Sequence, residues 1–147
     1  MSRSRFIVII GCGRLGATLA NRFSQQGHSV VVVDCNQLAF EALRTDFGGF
    51  RQVGDAAELS VLTEAKLNRA NALLAVTGED TLNLMVAQVA RAIFGVEQVL
   101  ARVFDPSREE DYQLLGIDTV SPTRLAADAF ALALEGIGPE VSGGVNR

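Results

Sequence analysis

The sequence predicts an α/β fold in which a parallel sheet of six strands is doubly wound by helices within a single lobe. Three observations point there. Short, β-branched apolar runs such as FIVII (Phe6 to Ile10) and SVVVVD (Ser29 to Asp34) recur along the chain. Unbroken apolar runs of this kind bury both faces of a strand, as parallel sheets require. Longer helical patterns separate them, which supplies the crossovers. The chain has 147 residues, one domain at roughly 150 residues per domain.

The elements follow in order. Phe6 to Ile10 is the first strand, and Arg14 to Gln26 a helix stopped by Gly27. Ser29 to Asp34 is the second strand, Gln37 to Phe47 a helix stopped by Gly48-Gly49, and Phe50 to Val53 a short third strand. Asp55 with Glu58 reads as a capping box that opens a helix over Glu58 to Leu67. Ala72 to Thr77 is the fourth strand, Thr81 to Phe94 a helix ended by Gly95, and Gln98 to Val103 the fifth strand. Asp105-Pro106 caps a helix to Leu115, Ile117 to Ser121 is the sixth strand, and Ser121-Pro122 starts a last helix to Glu135. The tail from Gly136 to Arg147, rich in glycine, is expected to be flexible.

Composition excludes several classes of function. Apolar residues are 48% and charged residues 20%, the balance of a folded globular chain. The formal net charge is −4, so no overall field draws the chain to nucleic acid or anionic lipid. Cys12 and Cys35 with the single His28 make no zinc set, and their sparse use reads as a reducing, cytoplasmic setting. The apolar run after Arg3 and Arg5 is too short for a signal peptide or a membrane span.

Chemistry is concentrated in one loop. Gly11-Cys12-Gly13-Arg14-Leu15-Gly16 is a G-x-G-x-x-G motif between the first strand and the first helix. Gly11 allows the tight turn, Gly13 lets a pyrophosphate approach the backbone, and Gly16 lets the helix lie against the sheet. The helix N-terminus then offers free N–H groups and the positive end of its dipole to phosphate. Asp34 ends the second strand, where a carboxylate accepts hydrogen bonds from ribose hydroxyls. Together these features make a Rossmann-like site for an adenine nucleotide or dinucleotide. The charge of Asp34 disfavours NADP, whose 2′-phosphate it would repel, and the next residues, Cys35 and Asn36, bring no arginine to compensate. Arg102, inside an apolar strand, needs an anion: a ligand phosphate, or a carboxylate such as Glu79 or Asp80.

The remaining strand ends carry Gly54-Asp55-Ala56, Thr77-Gly78-Glu79-Asp80-Thr81-Leu82-Asn83, Ala101-Arg102-Val103 and Val120-Ser121-Pro122. With these motifs the chain resembles the nucleotide-binding lobe of the RCK family, also called KTN or TrkA-N, from about residue 5 to about residue 135. The resemblance implies a lobe over residues 1–135 and binding of ATP, ADP or NAD(H). It implies phosphate contacts from the loop glycines and Arg14, with Cys12 and Leu15 in the same loop. Asp34 would hold the ribose, flanked by Cys35 and Asn36. Gly54, Asp55 and Ala56 would lie beside the adenine, Thr77 and Gly78 at the pocket mouth, and Arg102 at phosphate. Some relatives carry Glu directly after the proline of the last helix, near a bound cation; here the residue is Thr123, and no metal is expected.

The resemblance further implies a cytoplasmic regulatory subunit without enzymatic activity. It would sit at the inner face of the plasma membrane through a potassium channel or transporter subunit, with no direct membrane insertion. The last helix, about 122–135, is apolar nearly all round, which predicts one face on the sheet and another on a second subunit. The helix from Thr81 reads similarly, with Leu82, Leu84, Met85, Val86, Val89, Ile93 and Phe94 spread around it. Two such faces permit a ring, and the resemblance implies dimers that build one, up to an octamer. Rival readings are the cofactor domain of an NAD-dependent oxidoreductase and the regulatory domain of another ion antiporter. His28 and the two thiols read as structural, and no Ser–His–acid set is present.

Overall fold

A computed structural model describes residues 3–136. Its strands are β1 (Phe6–Ile10), β2 (Ser29–Asp34), β3 (Phe50–Val53), β4 (Ala72–Ala75), β5 (Gln98–Arg102) and β6 (Asp118–Val120). All six are parallel, in the order β3-β2-β1-β4-β5-β6. The chain steps outward from β1 to β3, returns to pair β4 on the other side of β1, and steps outward again. Above the carboxyl ends of β1 and β4 the connections diverge, and this switch point opens a crevice. The flexibility expected of the tail falls on 136–147, of which 137–147 lie outside the described residues.

Strand alternation divides the core into two layers. Val8, Ile10, Val31, Val33, Leu73, Ala75, Val99 and Ala101 point to one face, against α2 (Leu59–Glu64) and α3 (Asp80–Ala92). Ile7, Ile9, Val30, Val32, Ala72, Leu74 and Val76 point to the other, against α1 (Arg14–Gln25) and Phe40, Leu43 and Phe47. Fully burying a Val, Leu or Ile stabilises by about 1.5–3 kcal/mol, so these layers hold the crevice walls rigid.

Several elements depart from expectation. The helix expected from Gln37 to Phe47 is a 3-10 helix over Gln37–Ala42 only. Phe40, Leu43 and Phe47 do bury together, but Leu43 is extended. Beyond it Arg44 N–H donates to Asn21 Oδ1 at 3.0 Å and Gly48 N–H to Ser24 Oγ at 3.0 Å. Bonds to α1 thus replace the next helical turn. The capping box at Asp55 does not form. Asp55 Oδ1 accepts from Ala57 N–H at 2.9 Å, an Asx turn, and α2 starts at Leu59 with no side-chain cap. Lys66 in the left-handed region (φ 62°) then ends that helical stretch before Leu67. Asp105 caps as expected, accepting from Ser107 N–H at 3.0 Å, but the turn it opens is a 3-10 turn, Pro106–Arg108, before α4 (Glu109–Leu114).

The last helix, α5 (Pro122–Leu134), differs most. Ser121 Oγ caps it, accepting from Arg124 N–H at 3.1 Å, and Arg124 pairs with Glu109 of α4 at 3.0 Å. Beyond that anchor no residue of α5 is buried, and Leu125, Phe130 and Leu134 are exposed. The face expected to lie on the sheet is therefore not buried within the described residues, with Ala129, Leu132 and Ala133 only half-buried. On α3 the apolar residues are mostly used inside the lobe: Val86 is buried, Leu82, Leu84 and Val89 pack on the core, and Met85 and Ala92 are exposed; Ile93, just past its end, is exposed too.

Candidate functional site

The crevice follows from local geometry at four strand ends. After β1 the chain turns sharply at Gly11 (φ +104°), whose N–H donates to Val33 O at 2.8 Å. Helix α1 starts at once, with Ala17 N–H donating to Gly13 O at 2.8 Å. Gly16 lies so close beneath the loop that a Cβ there would sit 1.8 Å from Gly11 O. A Cβ on Gly13 would meet nothing within 4 Å and would project into open space. Helix α1 carries no side-chain cap and no acid in its first turn, so its N–H groups and dipole stay available to an anion. Arg14, exposed, adds a guanidinium at that end.

Asp34 joins the loop to the end of β2. Its Oδ2 accepts from Cys12 N–H and its Oδ1 from Asn36 N–H, each at 2.8 Å. Asn36 Oδ1 in turn accepts from Leu38 N–H at 3.0 Å. Gly54 N–H donates to Asp34 O at 3.0 Å, and a Cβ on Gly54 would sit 2.9 Å from Val61 Cγ1, so β3 meets α2 closely here. These contacts bring Asp55 and Ala56 to the crevice beside Asp34.

The cavity has a volume of about 670 Å³. Gly11, Gly13, Arg14, Leu15, Asp34, Cys35, Gly54, Asp55, Ala56, Thr77, Gly78 and Arg102 all line it. Cys12, Gly16 and Asn36 do not. The Cys12 thiol is buried under the loop, Gly16 serves packing, and Asn36 caps the following turn. Burial first, then the nearby Asp34 charge, push the Cys12 thiol up to about 11 against the opposing pull of Arg51, so it stays protonated and inert at neutral pH. Cys35 is exposed at the rim.

Ile10, Val33, Val76, Glu79, Leu82 and Phe104, none of them among the expected binding residues, complete the walls. The Arg102 guanidinium lies 4.0 Å from the centre of the Phe104 ring, and Arg102 Nε is buried without a hydrogen-bond partner. The carboxylate partners considered for Arg102 are not used. Asp80 accepts instead from the backbone N–H of Phe104 at 2.8 Å and of Asp105 at 3.4 Å. The alternation that places Phe104 on the side of Arg102 was present in the sequence as a signal. A larger groove, about 1120 Å³, lies at the opposite end of the strands beside His28, but it has neither a glycine loop nor a helix N-terminus.

A glycine turn, an open helix N-terminus, the Asp34 carboxylate and the Arg102 guanidinium meet at the carboxyl ends of the strands of a Rossmann-type lobe. The chain belongs to the TrkA-N domain family, which it matches over residues 7–122. It is 46% identical over 134 residues to the Trk system potassium uptake protein TrkA of Streptomyces coelicolor, covering 91% of this chain and 60% of that protein. The chain thus spans about three fifths of that relative. Among solved structures it resembles the GsuK RCK domain (TM-score 0.77, 22% identity, 92% of this chain and 29% of that one). The GsuK channel was also solved bound to NAD (TM-score 0.66, 23% identity, 81% and 22%). A third likeness is the Shewanella denitrificans Kef CTD in AMP bound form (TM-score 0.77, 22% identity, 92% and 84%). Among the described residues no helix is long and apolar enough to cross a membrane.

Proposed function

We propose that this lobe binds an adenine nucleotide, ATP, ADP or NAD(H), in the crevice, and that occupancy regulates a membrane potassium-transport partner. The observation that carries the reading is Arg102. Its Nε is buried and unpartnered in a cavity that also holds the glycine loop, Arg14 and Asp34. Arg102 as a whole is half-buried, but a buried N–H without a partner is costly, and a ligand phosphate oxygen would supply one. The relatives named for potassium uptake, and likenesses solved with NAD or AMP, support the same ligand class and the transport role. The lobe would act in the cytoplasm, held to the inner face of the membrane by its partner. Nucleotides that differ in phosphate number place different charge at Arg14 and Arg102, and such differential contacts bias a regulator between states.

Binding is tested by thermal shift with ATP, ADP, AMP, NAD, NADH and NADPH. A ligand at a hundred times its Kd stabilises by about 2.7 kcal/mol. ATP, ADP or NAD(H) should raise Tm by several degrees, and NADPH by less. The same ligands should slow iodoacetamide alkylation of Cys35 at pH 8 at least fivefold, while Cys12 stays unlabelled. No Tm shift together with an unchanged Cys35 rate would sink the reading. Regulation is then read as nucleotide-dependent potassium flux in vesicles carrying the transporter.

The lobe works as a homo-oligomer, a dimer that can build a ring. The bare α5 supports this, because Phe130 and Leu134, 76% and 90% exposed, need a partner surface. Phe130→Asp should convert the assembly to monomer in sedimentation velocity without lowering Tm for nucleotide-free monomer. A wild-type chain that sediments as a monomer at tens of micromolar would remove the assignment.

A further inference from the structure

We propose that Asn83 is a positioning residue for phosphate recognition, holding the Arg102 wall of the crevice in register with the Thr77 wall. The inference rests on the nucleotide reading above and goes beyond it, because Asn83 does not line the crevice.

Asn83 lies in the first turns of α3 and is 1% exposed, one of two buried polar side chains of the described residues. Its amide is saturated. Oδ1 accepts from Thr77 N–H at 2.9 Å and from the Thr77 hydroxyl at 2.6 Å. Nδ2 donates to Thr77 O and to Arg102 O, both at 3.1 Å. The partners dictate the amide's orientation, since a backbone N–H needs the oxygen and two carbonyls need the nitrogen. Thr77 stands two residues past the end of β4, and Arg102 is the last residue of β5. One side chain thus ties both walls from behind. Asp80, one turn earlier on α3, holds the next segment by accepting from Phe104 and Asp105 N–H. Phe104 is the ring under the Arg102 guanidinium.

The arrangement explains how an arginine with no carboxylate partner keeps one place. Its carbonyl is fixed by Asn83, and its guanidinium is backed by a ring that Asp80 fixes. Positioned groups recognise anions better than mobile ones, because less freedom is lost on binding. Asn83→Asp keeps the size but sets a carboxylate oxygen against two carbonyl oxygens, so the Arg102 strand end is pushed out of register.

The test is a double-mutant cycle on ADP and adenosine affinity, by calorimetry and NMR titration. Arg102→Gln should weaken ADP about tenfold and adenosine less than twofold. Asn83→Asp should do the same. The double variant should lose little more than either single one, because both remove the same interaction. Amide exchange at residues 77–80 and 102–105 should speed up together in Asn83→Asp without any ligand. If Asn83→Asp does not fold, Asp80→Asn replaces it in the cycle, with the same non-additivity expected. Equal losses for ADP and adenosine, or losses that multiply in the double variant, would overturn the positioning role. Arg102→Gln that binds ADP like wild type would overturn the underlying phosphate reading instead, and the two failures are therefore distinct.

Discussion

Gly16→Ala should be the most destabilising single-methyl change in the glycine loop. The added Cβ falls 1.8 Å from Gly11 O, a backbone atom that no rotamer change can move. Relief requires α1 to lift from the sheet, breaking the layer that Ala17 and Ala20 form with Ile7 and Ile9. Alternatively the Gly11 turn must open and release its bond to Val33. Overpacking of this kind costs about 1–3 kcal/mol, and loss of the turn bond adds about 1. We expect roughly 3 kcal/mol, or on the order of 10 °C in Tm. Gly13→Ala supplies the contrast. Its φ is −76°, open to any residue, and its Cβ meets nothing within 4 Å. That variant should melt like wild type but lose nucleotide binding at least tenfold, since the methyl occupies the crevice. Differential scanning calorimetry with and without ADP separates the two. A Gly16→Ala chain that melts within 2 °C of wild type would contradict the close-packing argument, on the roughly 2–4 °C per kcal/mol of a chain this size.

The pair also shows where sequence reasoning succeeds. A motif whose glycines have separate steric jobs is local, so strand, turn and helix could be read without knowing the rest of the chain. The same holds for Asp34, whose place after a buried strand puts its carboxylate beside the loop. The segment after Gln37 misled because Phe40, Leu43 and Phe47 repeat at helical spacing while being buried by a different backbone path. What decides that path is Asn21 and Ser24 on α1, which lie far away in sequence. Arg102 shows the same boundary. Its need for an anion was legible from an arginine in an apolar strand. The use of Asp80 for backbone amides was not, because it depends on how the β5 exit folds over α3. Asn83 gave no signal of its own, since a buried amide bridging two strand ends is a non-local event. Helix α5 was legible as apolar, but which face it would bury is a property of the assembly.

Asp34→Asn should be far from conservative. In the folded chain the carboxylate accepts two backbone N–H groups, one per oxygen, from Cys12 and Asn36. An amide side chain has only one accepting oxygen, so its NH₂ must face one of the two donors. If it faces Cys12, a buried N–H is left unpaired under the glycine loop; if it faces Asn36, the turn into the 3-10 helix loosens. Bonds to a charged acceptor contribute about 1.5–3 kcal/mol each, so affinity for any ribose-bearing ligand should fall about 10- to 100-fold. Asp34→Ala should lose as much affinity and also destabilise by about 1–3 kcal/mol, because the Cys12 N–H then lacks any acceptor. Removing the charge also removes the repulsion on a 2′-phosphate, so the ratio of NADPH to NADH affinity should rise in both variants even as absolute affinity drops. Calorimetric titration with ADP, NADH and NADPH reads all three effects. If Asp34→Asn binds ADP within twofold of wild type, the carboxylate is only a loop staple, and ribose recognition must move to Asp55, the other acid on that side of the crevice.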